Sequence, residues 1–157
     1  MQVEIKADER LDDLELKGLK IIQDPSKFCF GIDAVLLSAF AKVKPGENVV
    51  DIGTGTGIIP LLLSAKTDAK YIKAVEIQPD MADMAKRSVL YNNLQDRIEI
   101  ICNDIKRADS FIKKSSVDVV VSNPPYIKSS HAITNPKDSL SLARHEIACT
   151  LEDILSA

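Results

Sequence analysis

A short apolar segment, Asn48-Val-Val-Asp51-Ile, runs straight into Gly53-Thr-Gly55-Thr-Gly57, and a second apolar run begins at Ile58. A strand that breaks into a glycine-rich turn and then a helix is the opening of a β-α-β unit. Three further apolar segments follow at 71–76, 98–102 and 117–121, separated by stretches of helical spacing or turn residues. This alternation predicts an α/β sandwich on a parallel sheet, with right-handed crossovers. Ligands of such sheets sit at the carboxyl ends of the strands, so the residues just after each strand are the first candidates for a site.

The connecting elements follow from spacing and punctuation. A helix is predicted from Asp33, its N-cap, with Val35, Leu36, Ala39, Phe40 and Val43 on the apolar face and Pro45-Gly46 at its end. Another runs from the glycine turn to about residue 66. Pro79 suits a first helical turn, and Met81, Met84, Ala85, Ser88 and Val89 share one face before Asn92-Asn93 closes the element. A short helix is expected over 105–113. A polar stretch of more than twenty residues follows the fourth strand, and a helix begins near Thr150, where Thr150 and Asp153 resemble a capping box. Ahead of all this, Leu14, Leu16, Leu19 and Ile21 flank the turn residue Gly18, which predicts a small antiparallel lid or hairpin. The expected division is therefore 1–30 for this segment and 31–157 for the α/β domain.

Composition narrows the class. With 157 residues, 45% hydrophobic and 27% charged, the chain can bury a core and is not expected to be disordered. Its longest apolar run, 58–63, is about a third of the roughly 18 residues a membrane helix needs. No signal peptide is visible at the N-terminus, so the expected compartment is the cytoplasm. A net charge of −3 excludes a histone-like binder of nucleic acid. The charge is uneven, however: residues 105–148 hold seven Lys/Arg and four Asp/Glu, against thirteen and nineteen elsewhere. Cys29, Cys102 and Cys149 are odd in number, widely spaced and without a CxxC, so neither a disulfide framework nor a zinc site is expected. They are expected to be reduced, mostly buried thiols. His131 and His145 make no metal-ligand pair with them, and no metal is expected.

Four motifs fall at the predicted strand ends. In the first, the glycines let the backbone turn tightly and approach a ligand, with free N–H groups of a helix start behind them. A dinucleotide fingerprint would place its third glycine where Ile58 stands, which disfavours a dehydrogenase. The loop opens on Asp51, a carboxylate that would repel a pyrophosphate but attract an ammonium or a sulfonium. The second motif is Glu76, 25 residues after Asp51, placed to accept both hydroxyls of a ribose. The third is Asn103-Asp104, where Asp104 can accept from an exocyclic amine or cap a helix. The fourth is Ser122-Asn123-Pro124-Pro125-Tyr126. Two prolines stiffen this loop, so the Asn123 oxygen and the Pro124 carbonyl can hold the two hydrogens of one planar amine, with Tyr126 as a stacking face. Read singly, each also has a plain structural meaning: a tight turn, a surface acid, a cap, a Pro-Pro turn.

Together these residues resemble class I S-adenosylmethionine-dependent methyltransferases of the amino-methylating NPPY type, the methyltransferase small domain group, over most of the chain. The resemblance implies a Rossmann-like three-layer sandwich and S-adenosylmethionine as cofactor. It places Asp51, Gly53, Gly55 and Gly57 near the methionine part of the cofactor and Glu76 on the ribose. It places Ile77 against the adenine, Asn103 and Asp104 at the adenine amine, and Asn123, Pro124, Pro125 and Tyr126 at the catalytic centre. Asp8-Glu9-Arg10-Leu11-Asp12 and Phe28-Cys-Phe30-Gly31-Ile-Asp33-Ala-Val-Leu-Leu37 look like the bacterial tRNA (valine) adenine-N6-methyltransferases, as does Ala143-Arg144-His145-Glu146. In that group the stretch around Phe30 and Asp33 closes over the cofactor.

The implied activity is methyl transfer to adenine N6 of RNA, at the adenosine 3′ of the anticodon of a tRNA. Protein glutamine N5-methylation, which shares NPPY, and a non-catalytic fragment that binds cofactor or RNA are the alternatives. Lys128, Lys137 and Arg144 are candidate phosphate contacts. His131 is a candidate proton acceptor by position, and Lys113-Lys114 read as a solvated helix end. The family's sheet has seven strands and only four parallel ones are placed here. The chain is therefore expected to be an N-terminal portion ending after the fourth core strand, with one sheet edge exposed.

Overall fold

In the computed structural model the described residues are 3–27 and 29–123. The sheet consists of β3 (Asn48–Ile52), β4 (Tyr71–Glu76), β5 (Ile98–Cys102) and β6 (Val119–Ser122), all parallel, in the order β5-β4-β3-β6. The strands read as near-continuous apolar runs because both faces are covered. Alternate residues of β3 show the two sides: Val49 joins a core with α1, α2 and α3, while Val50 and Ile52 join another with Ile105 and Ala108.

The first face is covered by α1 (Ile32–Phe40), α2 (Ile58–Lys66) and α3 (Pro79–Tyr91). Pro79 stands in the first turn of α3, and Met81, Met84, Ala85, Ser88 and Val89 are all buried, as their spacing predicts. The expected α1 needs correction. It starts after Gly31, not at a capping Asp33, and it ends at Phe40, ahead of Pro45-Gly46. Its buried residues are Ala34 and Ser38, while Leu36 and Phe40 are exposed, Phe40 at 82%. Small side chains let α1 sit close to α2, and the Ser38 hydroxyl is satisfied by the Val35 carbonyl and by Lys66. The expected 105–113 helix is a 3-10 turn, Ile105–Ser110. The fourth strand begins two residues later than expected, and just ahead of it Asp118 ties to Asn48 through its backbone N–H and its carboxylate.

An antiparallel hairpin precedes the α/β domain, but its strands are β1 (Arg10–Asp13) and β2 (Lys20–Gln23), so of the expected residues only Ile21 is in a strand and Leu14, Leu16 and Leu19 lie in the connection. The hairpin packs on α3. Ile22 donates to Ser88 Oγ at 2.9 Å, and Asn92 bonds both the N–H and the carbonyl of Lys20. Arg87 donates two bonds of 2.6 Å to the Glu9 carboxylate and further bonds to Asp83 and the Glu4 carbonyl.

Among the described residues no helix is long and apolar enough to cross a membrane. Cys29 is half-buried and Cys102 exposed, both free, so the expectation of mostly buried thiols fails at Cys102. Cys149 and the helix expected at Thr150 lie outside the described residues.

Candidate functional site

Register brings the strand ends to one level. Ile52 pairs with Val75 on one side and Ser122 on the other, and Glu76 pairs with Cys102. One step beyond the strands, Gly53 of β3 therefore stands beside Glu76 of β4, with Asn123 on the other side of Gly53 and Asn103 beyond Glu76. Backbone bonds fix this edge: Gly53 and Thr54 both donate to the Val75 carbonyl, and Asn103 donates to that of Glu76.

The loop after β3 carries three glycines of positive φ: Gly53 at 72°, Gly55 at 57° and Gly57 at 87°. Gly57 is the most constrained. A Cβ there would lie 3.2 Å from Ala85 Cβ on α3, so the residue serves both the left-handed turn and the close approach of two elements. Gly57→Ala should cost about 1–3 kcal/mol by adding strain and contact together, read as a lowered denaturation midpoint.

Glu76 is buried and already engaged. One of its oxygens accepts from Gly55 N–H at 2.8 Å, and the other accepts from Gln78 N–H at 2.9 Å. The carboxylate thus shapes the glycine loop while keeping lone pairs for a further donor. Ile77 beside it is a 42% exposed apolar side chain. Asp104 is half-buried and caps the 3-10 turn by accepting from Lys106 N–H at 3.0 Å, so the capping reading holds for one oxygen. The Asn103 side chain accepts from Asp104 N–H.

Asp51 differs from these. It is 0% exposed, and neither carboxylate oxygen has a hydrogen-bond partner. The Thr54 hydroxyl, also buried, has none either. Buried polar atoms are almost always paired in a folded protein, so three unpaired ones at the start of the glycine loop single this place out. Thr54 is the residue the sequence did not single out. Set between two glycines it reads as a spacer, and only burial without a partner distinguishes it.

Burial pushes the Asp51 carboxyl up to about 7; the nearby Thr54 hydroxyl opposes this without a formed hydrogen bond, and the Glu76 carboxylate adds to it. The sign of the consequence follows from proton binding. Between the ordinary Asp value of about 4 and about 7, the folded chain holds a proton that the unfolded chain has lost. Asp51 therefore makes the chain less stable as pH rises through that window. Asp51→Asn should flatten this part of the pH–stability curve, measured by denaturant melts.

Phe30 is half-buried against the first core, its N–H held by Gln23 Oε1, and Asp33 is exposed in the first turn of α1. Asn123 is half-buried. Pro124, Pro125, Tyr126, Lys128, His131, Lys137 and Arg144 lie outside the described residues. Among the described residues no cluster of His, Cys, Asp or Glu could hold a metal ion.

A parallel sheet in the order β5-β4-β3-β6 with a glycine loop after β3 is a Rossmann-like α/β arrangement, and the fold is that of the class I methyltransferases. Residues 19–141 match the methyltransferase small domain, and the chain belongs to that family. It is 38% identical over 129 residues to a tRNA1(Val) (adenine(37)-N6)-methyltransferase of Phocaeicola vulgatus, covering 82% of this chain and 53% of that protein. A protein of the same name from Bacteroides thetaiotaomicron is 36% identical over 143 residues, covering 90% of this chain and 58% of the relative. The solved structure of Pyrococcus horikoshii TYW2 in complex with MeSAdo superimposes with a TM-score of 0.54 at 23% identity. That match covers 64% of this chain and 38% of the other, a likeness of fold. The chain spans just over half the length of these curated relatives.

Proposed function

We propose that the chain is the cofactor-binding portion of an S-adenosylmethionine-dependent N-methyltransferase acting on adenine N6 of a tRNA, at the adenosine 3′ of the anticodon, in the cytoplasm. The observation that carries the cofactor is the buried, unpartnered carboxylate of Asp51 beside the unpartnered Thr54 hydroxyl. An acceptor set of this kind fits the α-ammonium of an amino-acid moiety and is unsuited to a pyrophosphate. The adenine target rests on the relatives and on Asn123-Pro124-Pro125-Tyr126.

In this proposal Asp51 and Thr54 hold the ammonium. Gly53, Gly55 and Gly57 bring the backbone close to the methionine part, and Glu76 accepts the ribose hydroxyls. Ile77 packs on the adenine, with Asn103 and Asp104 at its amine edge. Phe30 and Asp33 border the same site. When bound, the cofactor supplies a methyl group on an electron-poor sulfur. The chain's own part is to bind and orient the substrate. Tyr126 stacks the flipped-out adenine, and the Asn123 side-chain oxygen and the Pro124 carbonyl accept the two N6 hydrogens, with Pro125 stiffening the turn. The N6 lone pair is thereby turned toward the methyl carbon. Positioning and exclusion of water supply the acceleration; N6 gives up one proton during or after transfer, with His131 the candidate acceptor by position, and no strong base is required. Lys128, Lys137 and Arg144 contact phosphates. Residues 1–30 form the lid or hairpin segment ahead of the 31–157 domain that carries this site.

Calorimetric titration with S-adenosylhomocysteine tests the cofactor assignment. Binding is expected, weakening as pH is lowered through about 7 because Asp51 takes a proton that competes with the ammonium. Asp51→Asn should weaken binding about tenfold or more and remove that pH dependence. Absence of binding by the parent chain, with saturable uptake of NADH, would refute the assignment.

A further inference from the structure

We infer that Gln23 is a positioning residue for the proposed cofactor site, its side-chain amide fastening the far end of the β2–α1 connection at Phe30. This rests on the cofactor reading above and goes beyond it, because Gln23 belongs to none of the motifs.

Gln23 ends β2 and is 2% exposed, although it is a long polar side chain. Its Nε2 donates to Asp12 Oδ2 at 2.8 Å, and its Oε1 accepts from Phe30 N–H at 3.1 Å. A neutral primary amide is the group that offers a donor to a carboxylate and an acceptor to a backbone N–H at once. The amide therefore bridges β1 to the chain that leads into α1.

The base from which it reaches is itself fixed. Ile22, the preceding residue, is fully buried, donates to Ser88 Oγ and packs with Met81 and Met84 of α3. Met81 also reaches the glycine loop: its methyl lies 3.8 Å from where a Cβ on Gly55 would stand. Farther along the connection, Lys27 pairs with Asp80 in the first turn of α3, four residues after Glu76. The Asp24 side chain closes its own turn by accepting from Ser26. The connection is thus pinned beside the Glu76–Ile77 corner by Lys27 and at its far end by Gln23. With both pins in place, Phe30 and the start of α1 stand ordered before a cofactor arrives, and that ordering need not be supplied by binding.

The experiment uses the chain as it exists, with S-adenosylhomocysteine as probe, and follows calorimetric affinity, thermal midpoint and amide exchange at Phe30. Gln23→Met keeps the volume and removes both hydrogen bonds. It should weaken affinity about tenfold and accelerate Phe30 exchange. Gln23→Glu sets a carboxylate against Asp12 and should do the same, whereas adding Asp12→Asn restores a donor opposite it and should recover affinity to within about threefold. Arg97→Met is the stability control, since Arg97 holds carbonyls at the end of α2 through Ser64 and Ala69. It should lower the midpoint and leave affinity unchanged. Equal affinity of the Gln23→Met variant and the parent, or an equal loss in the Arg97→Met control, would overturn the inference while leaving the cofactor reading intact. A parent chain that does not bind the probe would overturn both.

Discussion

Asn123→Ala is expected to reduce methyl transfer by about a thousandfold while cofactor affinity stays within about threefold. The separation follows from position. Asn123 comes directly after Ser122, whose partner in register is Ile52, so it stands at the sheet edge beside Gly53. The orphaned acceptors assigned to the cofactor belong to Asp51 and Thr54. In the proposed arrangement, removing the Asn123 amide takes away one of the two acceptors that orient the target amine and none of those assigned to the cofactor. An amine held only at one hydrogen rotates, and its lone pair leaves the line of attack. Single-turnover rates with a modified-free tRNA, beside calorimetry of the same variant, separate the two quantities. Loss of cofactor binding in parallel with activity would place Asn123 in a structural role instead.

Arg87→Ala is expected to destabilise the chain by about 3 kcal/mol or more, a large share of the stability of a small domain. The Arg87 and Glu9 side chains are only 12% and 6% exposed, and two 2.6 Å bonds join them. Truncating the arginine leaves the buried Glu9 carboxylate without its cationic partner and with only the Lys6 N–H, and takes a donor from the Glu4 carbonyl and from Asp83, which keeps Lys6. The hydrogen bond from Arg87 holds the Glu9 carboxyl below its ordinary value. The stability this pair contributes is therefore present above the ordinary glutamate range and is lost as pH falls through the lowered folded value. The parent should melt progressively earlier in that acid range, and the Arg87→Ala variant should lack that part of the slope. Denaturant melts of both across the acid range provide the check.

Those two residues also show where the sequence is legible. The strands announce themselves because a parallel strand covered on both faces must be apolar along its length, and 48–52, 71–76 and 98–102 fall as expected. The glycine loop and the acids at the strand ends are local signals, each adjacent to a strand, and the parallel register alone brings them together. Periodicity misleads at α1, where Leu36 and Phe40 are exposed and the small Ala34 and Ser38 face inward. Hydrophobicity marks which side chains prefer burial, but close helix packing selects the small ones. The ties of the hairpin to α3 are not legible at all. Arg87 meets Glu9 across 78 positions and Ile22 meets Ser88 across 66, and nothing in either local pattern names the other. Thr54 is hidden for another reason: its meaning lies in a missing partner, which only the packed structure reveals.

The most direct test of the proposed activity is transfer of a labelled methyl group. The chain is incubated with S-adenosylmethionine carrying a radioactive methyl, together with bulk tRNA lacking its own modification and, in parallel, with a protein extract. Nucleoside digestion of the RNA is expected to return the label as N6-methyladenosine from a single tRNA position next to the anticodon, with the Asn123→Ala variant silent. Label confined to glutamine side chains of the protein fraction, or cofactor binding with no labelled acceptor in either fraction, would contradict it.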